Sequence, residues 1–416
     1  MMSIIKRKMK HSTLLTWLLL IAGGEVIAAG RAEMIRPDTS GNCYSAVTEV
    51  SVNPYVYSIA GNWRLSRSYA YYGSRSESAA ITTTDIRKNG TLSAYASFWS
   101  QTNGVWKPST DTTRWVWNAE STLFNSKGFE IENRDPLGRY NAGLYGYDHV
   151  LPVAVIQNSR YRESYYDGFE DYNFGKNVCD PACAVGRGFG YTKYAASITT
   201  AAAHTGKYSL WIDKGTSADV SASLVSKDEK QVILNVPTVN NNCPPQPAFT
   251  LLRGIMADST ILLPTFSPLN NTRLLISGWV KEEQNCNCIS YTKSSIVITA
   301  GSTTSTAAPV GYIIDGWQRY EAVINVPATG SLLKISLRAS GDTPVFFDDI
   351  RIHPFNANMK SFVYDPVFLR LMAELDENNY ATFYEYDDDG TLIRLKKETE
   401  RGIKTIRETR SALIKD

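Results

Sequence analysis

FFDDIRI, Phe346 to Ile352, is the stretch on which the fold turns. Read as a strand, it places Phe346, Asp348, Ile350 and Ile352 on one face and Phe347, Asp349 and Arg351 on the other. Asp348 is then expected on the apolar side, where a carboxylate is costly unless it is paired, hydrogen-bonded or bound to a metal. Two upstream stretches complete a bracket around it. GFEDY, Gly168 to Tyr172, supplies Glu170 as a candidate to share the site. HTGKYSLWI, His204 to Ile212, opens with a turn and continues as a strand, with Tyr208, Leu210 and Ile212 buried and Lys207, Ser209 and Trp211 facing away. Backbone donors or an arginine are the alternative partners for Asp348.

Between these brackets, RLLISGWVK (Arg273 to Lys281), SSIVITA (Ser294 to Ala300), GWQRYEAVINVP (Gly316 to Pro327) and LLKISLRAS (Leu332 to Ser340) all read as strands. Loops rich in Asn, Pro, Ser and Thr separate them, the longest at Pro237 to Pro247. Such spacing predicts an all-β antiparallel sandwich over residues 166–355. Upstream, residues 35–165 are rich in aromatic and small polar residues and read as short strands and turns, with Trp99, Trp106, Trp115 and Trp117 expected mainly to pack between β layers and sugar stacking as the alternative. RDPLGRYNAGLYGY, Arg134 to Tyr147, has the chemistry of a hairpin, with a tight turn at Asp-Pro-Leu-Gly. Downstream, residues 356–416 become densely and mixedly charged. There Tyr364-Asp365 is echoed by Tyr386-Asp387, and turns at Asp389-Gly390 and Arg401-Gly402 predict hairpins. A helix competes for the final segment, because Glu and Lys are good helix formers.

The 416 residues are 43% hydrophobic and 20% charged, an ordinary globular balance, and the formal net charge of +2 points to neither nucleic acid nor an anionic membrane surface. At the start, Lys6, Arg7, Lys8 and Lys10 precede an apolar run from Leu14 to Ala22 and small residues near Ala28 and Ala29. This is the layout of a secretory signal peptide over residues 1–30. The competing anchor-helix reading has a run only about half the roughly 20 residues a span requires. No later segment is apolar enough to span. Six cysteines in an exported chain predict disulfides, with pairing left open. Zinc is the alternative, although neither Cys179 with Cys183 nor Cys286 with Cys288 has paired CxxC spacing or a nearby histidine.

Two resemblances arise from these residues. GFEDY, HTGKYSL and FFDDIRI make the span from about Asp167 to His353 resemble the jelly-roll carbohydrate-binding modules of secreted bacterial enzymes and surface proteins. That resemblance implies a structural calcium between the first and last strands, with Glu170 and Asp348 as side-chain ligands and main-chain oxygen near Thr205; calcium takes such hard oxygen donors. Tyr386-Asp387, Gly390 and Leu392, with a degenerate copy at Asp135 to Tyr140, resemble the YD repeats of rearrangement-hotspot (Rhs) proteins, which are large, exported and built of β-hairpins coiled into a shell. The flanks therefore read as YD-repeat-like, and the chain as the terminal portion or a truncated relative of such a protein.

Catalytic constellations are poor. His149, His204 and His353 are the histidines outside the signal, and each has a turn or strand end to explain it. Asp348-Asp349 does not make a glycosidase pair, since neighbours in a strand face opposite sides. The expected function is therefore non-catalytic: an exported bacterial surface or secreted protein that binds glycan or adheres through the sandwich. Trp211 is the ligand-contacting candidate, and carbohydrate or other YD-repeat chains are the expected partners. A glycan-active hydrolase with unplaced carboxylates, or a structural remnant of a toxin-delivery shell, are the alternatives.

Overall fold

The computed structural model describes residues 64–72, 75–76, 91–92, 96–125, 127–172, 174, 189–226, 231–235, 254–258, 265–283, 288–330 and 332–409. The signal-peptide segment, the loop Pro237 to Pro247 and all cysteines except Cys288 lie outside these residues. The regular secondary structure of the described residues is almost entirely strand, and no helix among them is long and apolar enough to cross a membrane.

Two sheets form a β-sandwich. One runs in the order Ile198–Thr199, Ser209–Ile212, Val345–Pro354, Arg273–Glu282, Trp317–Asn325, Ala308–Ile314, with Tyr165–Asp167 also pairing to Val345–Pro354. The facing sheet has the order Ser217–Ser223, Leu332–Ala339, Ser294–Ala300, Thr303–Thr306. Period-two apolar positions build the core: Leu274, Ile276, Val280, Phe347, Ile350 and Ile352 meet Ile296, Ile298, Leu333, Ile335 and Leu337 in one buried cluster.

The strand Val345–Pro354 departs from simple alternation. Ser277 pairs with Arg351 but Trp279 pairs with Asp348, so three steps on one strand oppose two on its neighbour. The extra residue is a β-bulge, with Asp349 at φ +48. Gly278 permits it, since a Cβ there would lie 2.5 Å from Ile350 Cδ1. The bulge reverses the parity expected from the sequence. Phe347, not Phe346, lies in the sandwich core, while Phe346 joins a separate cluster with Trp279, Ile314 and Trp317. Asp348 consequently shares the outer face with Phe346 and Trp279 rather than the face of Ile350 and Ile352.

A second unit covers that outer face. Ten strands form one antiparallel sheet in the order Arg67–Tyr71, Trp115–Phe124, Glu130–Arg134, Tyr140–Gly146, Leu151–Gln157, Asn358–Tyr364, Leu371–Leu375, Ala381–Tyr386, Leu392–Thr399, Gly402–Glu408. The flanks of the sandwich are thus not independent pieces. Leu151–Gln157 pairs directly with Asn358–Tyr364, Gln157 opposite Asn358, and the sandwich is inserted between these two neighbours. The final segment, for which helix and hairpin readings compete, is a hairpin.

Several turns of this sheet share one construction. Asp135, Asp376 and Asp387 each accept at Oδ1 the N–H four residues on, from Arg139 (2.9 Å), Tyr380 (3.0 Å) and Thr391 (2.7 Å). The residue before each of those donors, Gly138, Asn379 or Gly390, is left-handed at φ 78, 64 and 82, a region favoured by Gly and Asn. Asn125, Gly128 and Phe129 repeat the arrangement.

Candidate functional site

The three bracket motifs meet at a buried polar junction between the sandwich and the ten-stranded sheet. Asp348 accepts the backbone N–H groups of His204 (2.8 Å) and Thr205 (3.3 Å) at Oδ2 and that of Asp349 (2.8 Å) at Oδ1. The turn before Ser209–Ile212 therefore supplies the donors that a carboxylate in this position requires. Burial, then the nearby Asp349 and Glu170 carboxylates, push the Asp348 carboxyl well above the usual range. Glu170 Oε1 accepts from Lys207 N (2.6 Å) and Tyr208 N (2.7 Å), while its Oε2 is buried with no hydrogen-bond partner. Burial is also the main reason its carboxyl is pushed up to about 8.

Asp349 turns toward the second unit. Its oxygens accept from Tyr166 Oη (2.8 Å) and from Thr205 Oγ1 (3.0 and 2.9 Å), and Oδ2 lies 2.7 Å from His204 Nδ1. The other ring nitrogen, Nε2, lies 3.1 Å from Oε1 of Glu398 on the strand Leu392–Thr399. Glu398 Oε2 in turn accepts Ala381 N–H at 3.0 Å. The His204 ring stacks on Trp279 at 4.0 Å and 15°. Burial alone would lower the His204 pKa; Glu398 and Asp349 outweigh it and hold it at about 9, so the ring is an imidazolium with a carboxylate at each nitrogen. His204, Asp349 and Glu398 are all buried.

Around this clamp the turn Asp376 to Tyr380 plugs into the sandwich. Trp279 Nε1 donates to Asn379 O (2.8 Å), Arg319 Nη1 to Asn378 O (2.6 Å), and the buried Arg351 guanidinium to Asp376 O (2.6 Å) and Leu375 O (3.1 Å). Burial lowers the Arg351 pKa to about 10, which still leaves it charged.

Glu170, Asp348 and Thr205 are thus neighbours, as the motifs imply. Trp211 does lie on the face opposite Leu210, but it is half-buried against the cluster of Trp279, Trp317 and Phe346 beneath the second unit. Ser209, expected to face away, is fully buried and donates from Oγ to Ala202 O at 2.6 Å. Sequence reasoning missed His204 as the centre of the junction and Glu398 altogether. A histidine next to a Thr-Gly turn was the available signal for the first; nothing local marks Glu398 among its charged neighbours.

Because the His204 pKa is raised, from 6.5 to about 9, the folded state holds that proton more tightly. The resulting stabilisation is complete below about pH 6.5 and lost as pH rises through about 9. Glu170, raised from 4.5 to about 8, has the same sign over a lower window. Urea unfolding in the presence of chelator is expected to show stability falling from mildly acid pH to pH 9. Glu398→Gln should cost about 3 kcal/mol at pH 6, the scale of breaking a buried pair, and flatten that decline. A pH-independent stability would refute the clamp.

No protein-family model and no curated protein matches the chain. Among solved structures it is similar to a family 16 carbohydrate-binding module, at 12% identity over 40% of this chain and 89% of that one, TM-score 0.21. It is also similar to the CBM22-1 xylan-binding domain of Xyn10C from Paenibacillus barcinonensis, at 14% identity over 38% of this chain and 78% of that one, TM-score 0.21.

Proposed function

We propose that the chain is a non-catalytic, exported bacterial glycan-binding or adhesive protein. One observation carries the reading: an exposed aromatic platform on the hairpin Trp99–Thr102 and Val105–Pro108. Trp99 pairs with Pro108 and Gln101 with Trp106, so both tryptophans lie diagonally on one face. They are 55% and 62% exposed, unusual for indole rings. Phe98 steadies Trp99 edge-on (5.2 Å, 89°) and itself packs on Tyr69 (4.7 Å) and Trp115 (5.2 Å) of the ten-stranded sheet. Flat rings held in place and open to water suit stacking against the CH faces of sugars, and their burial by a ligand is favourable. Export is supported by the disulfide at Cys288 and by the basic, apolar start of the chain.

A structural calcium on Glu170 and Asp348, as in the jelly-roll modules that the motifs resemble, belongs to the same proposal. Its support is the orphaned, buried Glu170 Oε2 beside Asp348, an arrangement whose desolvation and repulsion a divalent cation would offset. Among the described residues no three His, Cys, Asp or Glu side chains are spaced to hold a metal, so further ligands would be main-chain oxygens near Thr205. The repeated Asp and Asn turns favour a second reading, a remnant of a YD-repeat shell.

Three measurements test these readings. On a glycan array, Trp99→Ala with Trp106→Ala should lose about tenfold or more in affinity for whichever neutral glycan the wild type binds, with stability unchanged within about 0.5 kcal/mol; undiminished binding would remove the platform. Thermal melting in calcium and in chelator should give a higher midpoint with calcium, and Glu170→Gln should abolish the difference; identical midpoints would exclude the metal. The shell reading expects association with further repeat-bearing chains, and a monomer at all concentrations in sedimentation equilibrium with such chains added counts against it.

A further inference from the structure

The turn Asp365 to Arg370, which joins Asn358–Tyr364 to Leu371–Leu375, carries Val367, Phe368 and Leu369 out into solvent. Val367 and Phe368 are 71% and 68% exposed, yet the turn is held in one shape. Asp365 Oδ1 accepts the N–H groups of Val367 (2.7 Å) and Phe368 (2.8 Å), and its main-chain O accepts that of Leu369 (2.9 Å). Leu369 is left-handed at φ +55, a conformation unfavourable for a bulky side chain. Arg370 braces the tip from behind. Its Cζ lies 5.1 Å from the Phe368 ring centroid and 5.9 Å from that of Tyr386, and its guanidinium fills the space a side chain at Gly390 would need. A braced apolar tip is pre-organised for burial by another surface, since little loop and side-chain freedom is left to lose.

The charge around the tip is negative. Asp387, Asp388 and Asp389 form the next turn at the same end of the sheet, the one that Arg370 touches at Gly390, and Asp388 and Asp389 are exposed. A rim of carboxylates disfavours an anionic bilayer and favours an apolar surface bordered by cations. The chain carries such a surface. On Leu392–Thr399, Glu398 turns to the junction with the sandwich, and on the same face Arg394 and Lys396 are paired with Glu385 and Glu408. Leu395 and Lys397 therefore lie on the opposite face, away from the sandwich. Cross-strand pairing sets Tyr384 and Arg407 beside Leu395, and Thr382 and Lys404 beside Lys397. Lys397 directly opposite Lys404 is a repulsive pair, and among the described residues neither of them nor Arg407 has an ion-pair partner. Glu374 shares the face, two strands from Lys397, and accepts from Tyr384 Oη at 3.3 Å.

We propose that the tip of one copy of the chain docks on this face of a second copy, with Val367 and Phe368 against Leu395 and Tyr384, and Asp388 and Asp389 against the cations of Lys397, Lys404 and Arg407. The match is one of both character and charge: an apolar anchor with an acidic rim meets an apolar row with a basic border. Because the two surfaces differ, the contact is head-to-tail, and each copy keeps one surface open for the next. Surfaces of this size make weak, reversible links. The association is independent of any glycan contact.

Sedimentation equilibrium of the full chain is expected to show a mass that rises with concentration and falls back as salt is raised. Phe368→Ser, and separately Lys397→Glu with Lys404→Glu, should each weaken the association about tenfold or more. All three residues are exposed, and unchanged thermal midpoints check that the variants are folded. Mixing the variants is the decisive arm. The Phe368→Ser chain keeps its basic face and the double-glutamate chain keeps its tip, so the mixture should form one-to-one complexes that neither variant forms alone. A wild-type chain that stays monomeric at every concentration would overturn the inference, and so would a mixture that stays monomeric or an association that neither variant weakens. Flotation of the chain with phosphatidylglycerol or phosphatidylcholine vesicles, dependent on Phe368 and in place of self-association, would assign the tip to lipid and overturn it too.

Discussion

A single buried imidazolium joins the two halves of this molecule. His204 belongs to the sandwich, Glu398 to the ten-stranded sheet, and Asp349 to the strand that lies between them, so the ring touches both sides through its two nitrogens. Neither contact survives alone at low cost. A charged histidine with one carboxylate removed is an under-compensated buried charge, and each carboxylate without the ring is the same problem with the opposite sign. The surrounding contacts share this directional character: Trp279 Nε1, Arg319 and Arg351 all donate to main-chain oxygens of one plugging turn. Apolar burial alone tolerates sliding, whereas these bonds hold at one docking angle.

The clamp depends on a backbone irregularity. Without the extra residue opposite Gly278, Asp348 and Asp349 would face opposite sides of the sheet, and one of them would sit among Ile350, Ile352 and the sandwich core. The bulge turns both away from that core. Asp348 can then collect backbone donors from the His204 turn while Asp349 reaches the imidazole. Glycine at 278 and the left-handed backbone of Asp349 are two halves of one device.

This explains what could be read from the sequence. Strands such as Ser294–Ala300 and Leu332–Ala339 follow from alternation because each side chain's face is set by its immediate neighbours. The Asp and Gly turns are equally local. FFDDIRI misleads because strict alternation assumes no bulge, and the deciding glycine lies on a partner strand far away in the chain. The convergence of Glu170, Thr205 and Asp348 was legible as a set of motifs, yet the face they occupy was not. For Trp211 the face was correctly read, but how far that face meets water depends on a sheet whose strands come from both ends of the described chain.

That shared sheet also explains how a sandwich came to sit inside a run of hairpins. Gln157 and Asn358 are cross-strand partners, so the chain leaves and re-enters the sheet at points about 5 Å apart. An insertion with ends so close leaves the hairpin register on both sides undisturbed. The sandwich in turn packs its outer face against the turn Asp376 to Tyr380 of the ten-stranded sheet. With the angle between the units held by the His204 clamp, the aromatic hairpin packed on the sheet through Phe98 keeps one orientation relative to the sandwich. Burying the charge opposes folding by desolvation, and the two carboxylates that compensate it hold the sandwich and the sheet in one fixed geometry.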